Sequence, residues 1–527
     1  MWSRAARLLP VASVPVAIAL HRKAPDFPPD SSGTGSVAGD AREPPSPVGL
    51  SAVAYAAVSE TLLDRSMEAI QSVDFVDLEI LRGTTLRASL RGLGRLWRYN
   101  PINLSPEERQ ALYLKSKPVK RLNVFLSHTW WTNGSWKVLS LLFHCGWLHA
   151  LLCWLFVVAV TLLLCLLGAL PMRLSFETLG TNCVLTCPMG FWILLLGFLG
   201  PVLGLFSAIY WPDCSTKPDT CFIDVASIHQ TDKAQMKRGI LGIGGFLLVS
   251  DELRILWSPP YLSRAWCVFE LAVYRKGNPH GRVNLSPLFV EQYVAFTFLG
   301  EYFTAVGYWA LRSMRGQVKQ MLRSASRSFL SKHQLLKQFE QFDLDTVDCY
   351  DNDDRRFIHA AIIKWYGSKA AFNEYVRGPL RAELMGPILS NHLPLSYLMI
   401  LIVPYLNMSL EFLVAMIRGG SSFECLLPFA LAVLFSANFI FLPACVELLF
   451  LLCDKFAAPC FSSNILDCMQ TLLIHLLFMV FAVGGARWRY CGIQERFVGS
   501  GFVLLHFPPA AAWSPQSQAQ STQDQGT

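Results

Sequence analysis

Leu122-Asn123-Val124-Phe125-Leu126-Ser127-His128, Cys221-Phe222-Ile223-Asp224-Val225 and Leu253-Arg254-Ile255-Leu256-Trp257 are the stretches that decide the fold. The first two are short apolar runs that end in polar residues, as strands buried in a parallel sheet do. The third is closed by Ser258-Pro259-Pro260-Tyr261, a turn, because proline fixes φ and has no N–H for a ladder. Helix-like stretches follow, from Lys233 to about Ser250 and from Trp266 to Arg275, and Val283–Leu288 reads as a fourth strand. Alternating strands and helices predict an α/β domain with helices on both faces of a parallel sheet.

Outward from this segment the chain is too apolar for a soluble protein. Hydrophobic residues make up 53% and charged residues 16% of the sequence, with a mean hydropathy of +0.36. Apolar runs at Leu148–Leu170 and Met189–Trp211 are each long enough to cross a hydrocarbon core of about 30 Å and predict a transmembrane hairpin. The loop between them holds only Arg173 and Glu177, whereas Lys137 precedes the hairpin and Lys217, Lys233, Lys237 and Arg238 follow it. The positive-inside rule therefore places both flanks in the cytoplasm, with the identity of the membrane open. A second block has runs at Pro394–Ile417, Cys425–Leu452 and Ile465–Gly484. Pro428 and Pro443 interrupt the middle run, which is either a tilted helix or a broken hairpin, giving five or six crossings in all. Five would leave the C-terminal tail outside, against the preference of Arg487, Arg489 and Arg496.

The resulting organisation is a disordered or targeting tail over 1–49, a helical basic region over 50–120, and an α/β domain with a helical extension over 121–138 plus 212–380. A transmembrane hairpin occupies 139–211, transmembrane helices 381–485, and a polar tail 486–527. Arg4 and Arg7 before the apolar stretch Leu8–Leu20 outline a targeting peptide over residues 1–23, broken by Pro10 and Pro15. Basic residues between Arg82 and Arg121 suit a solvated positive face beside a membrane. The net charge of +7 is partly accounted for by arginines flanking membrane segments and carries no nucleic-acid footprint. Of the 15 cysteines, most fall in apolar segments, while Cys183 and Cys187 share a short loop where a non-cytosolic disulfide is expected. No second pair stands by to complete a zinc site.

Val124-Phe125-Leu126-Ser127-His128 and the later Ser258-x-x-Tyr261-x-x-Arg264-x-Trp266-Cys267-x-x-Glu270-Leu271 resemble the plant-type TIR (Toll/interleukin-1 receptor) family, whose strand V-F-[IL]-S-[FH] is followed by S-x-x-Y-x-x-S-x-W-C-x-x-E-L. The resemblance covers about residues 121–138 and 212–290 and implies a flavodoxin-like sheet. It departs in three places: Arg264 replaces the family's serine, the hairpin is inserted where the first helix should run, and the loop after Asp224 lacks the family's acidic and glycine pattern. In the enzymatic members the glutamate after W-C-x-x cleaves the nicotinamide–ribose bond of NAD, so the resemblance implies Glu270 as catalytic residue and NAD as substrate, with no resident cofactor. It also implies signalling through self-association or through other TIR-like proteins.

Strand ends in such sheets converge on one crevice, which would gather Ser127, His128, Trp130, Asp224, Ser258, Tyr261 and Trp266 around the substrate. Trp130, Trp131 or Trp266 could pack on a base or hold the wall. The plainer reading of Glu270 is a helix-surface residue paired with Arg264 or Arg275. A serine-hydrolase reading of Ser127, His128 and Asp224 fails, because neighbouring strand residues point to opposite faces. Asp343, Asp345, Asp348, Asp351, Asp353 and Asp354 lack the glycine and glutamate of a calcium loop and read as a solvated linker. The stretch Arg355–Ser368 reads as an amphipathic helix lying on the domain or on the membrane. Glu447 and His475, inside apolar runs, leave a transporter or channel as an alternative to the enzyme and to a non-catalytic interaction scaffold.

Overall fold

Strand β3 (Leu122–Ser127) occupies the middle of a six-stranded sheet with β1 (Arg82–Thr85), β2 (Lys117–Pro118), β6 (Thr220–Phe222), β7 (Ser250–Trp257) and β8 (Arg282–Pro287), in the order β2-β1-β6-β3-β7-β8. β6, β3, β7 and β8 run parallel, and β1 pairs antiparallel with both β6 and β2. A separate hairpin pairs β4 (Leu174–Glu177) with β5 (Thr186–Met189). The computed structural model describes residues 77–474 except 78, 100–102, 178–185, 212–219, 312–330, 390–392, 457–468 and 471–472. The N-terminal tail, the helix expected before residue 72, Cys183, most of the Ile465–Gly484 run, His475 and the polar tail lie outside the described residues.

Alternation along β3 sends Val124 and Leu126 to one face and Phe125 to the other. The first face is covered by α1 (Leu86–Arg98) and by the start of α2 (Gly134–Leu166), through Leu86, Leu90, Trp97, Val138, Leu141 and Leu142. The second is covered by α4 (Ile243–Leu248) and α5 (Ala265–Gly277), with α7 (Asn352–Tyr366) packed behind through Phe357, Ile358, Ala361, Ile362 and Trp365. Fully burying each such side chain contributes roughly 1.5–3 kcal/mol. The amphipathic helix expected near residue 355 is thus α7, and it lies on the α/β domain. The aspartates before it cap and tether: Asp351 accepts from the Asp353 N–H, Asp343 from the Asp345 N–H, and Asp345 pairs with Lys369.

The described part of the expected basic region belongs to this sheet, contributing β1, β2 and α1. Arg87 and Arg91 donate to the carbonyls of Trp211 and Ile209 at 3.2 and 3.4 Å, just beyond the end of α3 (Trp192–Ser207), where the helix dipole favours cations.

Helix α2 serves two layers. Capped by the Asn133 side chain, its first turns pack on the sheet, and farther along Leu148, Leu152, Leu155, Phe156 and Leu163 are exposed. Its 33 residues span about 50 Å without a break. α3 returns against it at small residues: a Cβ at Gly200 would stand 2.8 Å from the Trp154 Cα, and one at Gly204 2.4 Å from the His149 carbonyl oxygen. α6 (Leu288–Leu311) leaves β8 and enters the same bundle, packing Val294, Phe298 and Tyr302 against Phe143, Leu194 and Leu401. α8 (Leu395–Arg418) completes this group.

Polar side chains join the bundle helices. Asn407 on α8 accepts from the Trp154 indole at 2.8 Å and donates to the Tyr302 hydroxyl, Tyr397 donates to Glu291 at 2.8 Å, and Asn438 donates to Ser409 at 3.0 Å. Phe191, which opens α3 in a left-handed conformation, offers no side-chain cap; Glu411 of α8 instead accepts from the Ile193 and Gly190 N–H groups at 2.8 and 3.3 Å. Gly134–Leu166, Leu395–Arg418 and Phe423–Leu448 are long and apolar enough to cross a membrane, and this fits a membrane protein. The run containing Pro428 and Pro443 is one continuous helix. Glu447 is exposed on it.

Candidate active site

Ser127 ends β3 on the face that carries α5, with 1% of its surface exposed. Its hydroxyl donates to the Glu270 carboxylate at 2.5 Å and lies 2.6 Å from the Tyr261 hydroxyl. Glu270 stands on the second turn of α5. That helix starts where it does because the Pro259-Pro260 turn closes with the Tyr261 N–H on the Ser258 carbonyl at 2.8 Å, and because the Ala265 N–H reaches the Asp348 carbonyl at 2.9 Å. Neither arginine considered as a partner meets Glu270. The Arg264 guanidinium lies 4.4 Å over the Trp131 ring, and Arg275 bonds Glu383 and the Gly281 carbonyl. Burial therefore dominates and lifts the Glu270 carboxyl to about 8; the Ser127 hydrogen bond opposes the shift and the Asp224 charge adds to it.

Asp224 follows the adjacent strand β6. Its carboxylate accepts from the Trp130 indole at 2.6 Å and from the Val225 N–H at 2.7 Å. Burial raises its pKa, while Trp130, Val225 and the positive charge of Lys137 act against that rise. Lys137, in the first turn of α2, is fully buried, donates to the Thr129 carbonyl at 2.6 Å and lies 4.8 Å over the Trp130 ring. In the sequence Lys137 stands as a flank of the predicted hairpin, and the structure gives it a second role. A lysine one turn into an apolar helix, directly after a strand-end loop, was the signal for its second role.

His128 faces the other way, as strand alternation requires. Its ring packs edge-on against Trp97 at 5.2 Å and Trp130 at 4.7 Å, and burial next to Lys137 keeps the imidazole neutral with a pKa well below its usual value. It supports Trp130 and cannot serve as base to Ser127. Ser258 bonds Thr132, tying the loop after β7 to the loop after β3. Tyr261 is almost fully buried and forms wall. Trp266 is not brought to the group: its indole donates to Asp354 at 3.1 Å and packs on Phe269.

Ser127, Trp130, Asp224, Tyr261 and Glu270 thus gather at the carboxyl ends of the parallel strands. From β3 the chain passes to β6 on one side and later to β7 on the other, and in open α/β sheets such a switch point is where ligands bind. A carboxyl that titrates near 8 accepts a proton or ionises in the neutral range, and a desolvated carboxylate stabilises positive charge on a bound group far better than one in water. Among the described residues no cluster of His, Cys, Asp and Glu could hold a metal ion. The sequence matches no family model, and comparison with curated proteins and with solved structures returns no match.

Proposed function

We propose that the protein is a multi-pass membrane protein whose α/β domain is TIR-like, flavodoxin-like in strand order, and hydrolyses NAD at the nicotinamide–ribose bond with Glu270 as catalytic residue. The observation that carries this reading is the half-buried Glu270 carboxyl held by Ser127 at the strand ends, without a cationic partner among the described residues. The parallel order β6-β3-β7-β8, with the first strand inside and the second to its outer side, supports the fold part.

In the free protein Glu270 is largely protonated near pH 7. A bound pyridinium brings a positive charge beside it, which favours the carboxylate and drives loss of the proton. The bond from the ribose C1 to the pyridinium nitrogen then breaks, its electron pair neutralising the ring, and neutral nicotinamide departs. Glu270 stabilises the oxocarbenium-like sugar. Water adds to C1 and gives up its proton to Glu270 or to solvent, leaving ADP-ribose. Asp224, fixed by Trp130, suits the ribose hydroxyls.

For orientation, the α/β domain lies at the lysine-flanked end of α2. Cys425 is disulfide-bonded and packs with Cys187 and Met416 near the opposite end, where Arg418 bonds the Leu166 carbonyl. Disulfides persist in oxidising compartments, which supports a cytoplasmic α/β domain and an opposite, non-cytosolic end.

The competing reading is a non-catalytic scaffold. Differently tagged copies of full-length protein and of Glu270→Gln separate the two: retained co-purification with lost NAD consumption in the variant supports the enzyme. No NAD consumption by a wild type that still associates supports the scaffold, whereas equal consumption by both proteins removes Glu270 as the catalytic residue.

A further inference from the structure

The group around Glu270 explains how one end of a substrate would react but leaves its remainder without a holder, and the loops beside it carry side chains the site does not use. Trp131 is 69% exposed, unusual for the largest apolar side chain on a short loop. Over its ring, at 4.4 Å, stands the Arg264 guanidinium, which has no hydrogen bond or ion pair among the described residues. Both stand beside the Glu270 group for a structural reason. Trp131 follows Ser127 and Trp130 on the loop leaving β3, and Arg264 opens α5, the helix that carries Glu270. The Thr132–Ser258 hydrogen bond ties the loops after β3 and β7 together, and the Arg264–Trp131 contact joins the same two segments. No side chain caps the start of α5, which adds to the positive potential there.

We infer that Trp131 and Arg264 form a subsite for a phosphorylated nucleotide, with the indole stacking on the base and the guanidinium binding phosphate. An exposed indole offers a π-face that any nucleobase can stack on. A guanidinium held over a ring keeps N–H donors for a phosphate, which it binds in bidentate fashion where a lysine would not. Serine or another small residue at position 264 would leave the indole without this cation. The subsite rests on the nucleotide reading of the site, but it concerns binding beside Glu270 and does not require Glu270 to cleave anything.

The test is equilibrium dialysis of ADP, adenosine and pyrophosphate against the full-length protein in detergent, beside Trp131→Ala, Arg264→Ser and Glu270→Gln. ADP should bind at least 10-fold more tightly than adenosine or pyrophosphate. Trp131→Ala should weaken ADP and adenosine at least 10-fold and spare pyrophosphate; Arg264→Ser should weaken ADP and pyrophosphate and spare adenosine. Circular dichroism of each variant verifies the fold. ADP affinity unchanged in both subsite variants, or no ADP binding by the wild type, would overturn the inference. The two readings fail separately: ADP binding that both subsite variants weaken, in a protein that releases no nicotinamide, sinks hydrolysis alone. Nicotinamide release with KM unchanged in both subsite variants sinks the subsite alone.

Discussion

The Ser127 hydroxyl donates to the Glu270 carboxylate at 2.5 Å, joining the end of β3 to the second turn of α5. Since the bond lowers a pKa that burial has lifted to about 8, its loss moves the carboxyl further up. For NAD hydrolysis, kcat/KM should rise with pH and level off above about 8, because it reports the free protein. The limb in kcat should lie lower, since the bound pyridinium favours the carboxylate. Ser127→Ala should shift the kcat/KM limb to higher pH and reduce the value at pH 7 by roughly 10- to 100-fold. A limb that stays in place would mean Ser127 does not tune Glu270.

The same shift has a stability consequence. Glu270 ordinarily titrates at 4.5 and in the folded protein at about 8, so between these values the folded state holds a proton that the unfolded chain releases. Stability from this group is fully present below 4.5 and is lost as pH rises through 8. Glu270→Gln removes the titration while the contribution of Asp224 remains in both proteins. The variant should nearly match wild type at pH 5 and exceed it by roughly 4 kcal/mol at pH 9, at about 1.4 kcal/mol for each unit by which the pKa is raised, read from thermal unfolding at each pH. A gap that does not widen with pH would contradict the burial of Glu270.

Gly134 begins α2 so close to α1 that a Cβ there would stand 1.8 Å from the Trp97 carbonyl oxygen. Backbone cannot yield as a flexible side chain does. Gly134→Ala should therefore cost about 2 kcal/mol or more and displace the loop that carries Trp130. Thermal unfolding with tryptophan fluorescence reads both effects, and an unchanged Tm would show that the two helices are not in contact.

Glu411 accepts from the Ile193 and Gly190 N–H groups at the start of α3. Glu411→Leu leaves these buried donors unpaired and should cost roughly 2–4 kcal/mol, whereas Glu411→Gln keeps a carbonyl acceptor and should cost less than half of that. Thermal unfolding in one detergent compares them. Equal losses would mean the carboxylate does not cap the helix.

Strands β3, β7 and β8 and helix α5 were legible in the sequence because each is a contiguous apolar or amphipathic run bounded by turn residues. β1 was not: Arg82-Gly83-Thr84-Thr85 is polar, and it becomes a strand only by pairing with Thr220 and Cys221 far along the chain. α6 read as part of the α/β domain because Glu291 and Glu301 interrupt its apolar pattern, while Tyr397 shows where one of those carboxylates is satisfied inside the bundle. The dual role of α2 was hidden because nothing in a continuous apolar run marks where the sheet contact ends. In the site, Ser127, Trp130, Asp224 and Glu270 were anticipated from strand ends and motif register. Lys137 was not, and Trp266 turns away to meet Asp354, a contact set by a helix that sequence spacing does not place.

The most direct test is a time course of nicotinamide release from NAD by full-length protein in lipid nanodiscs at pH 7.5, at several protein densities, beside Glu270→Gln. The expected result is release by the wild type, with ADP-ribose in equal amount, reduced at least 100-fold in the variant. Equal release by both proteins, or none by a folded and associated wild type, would contradict the assignment of Glu270 as the catalytic residue of an NAD hydrolase.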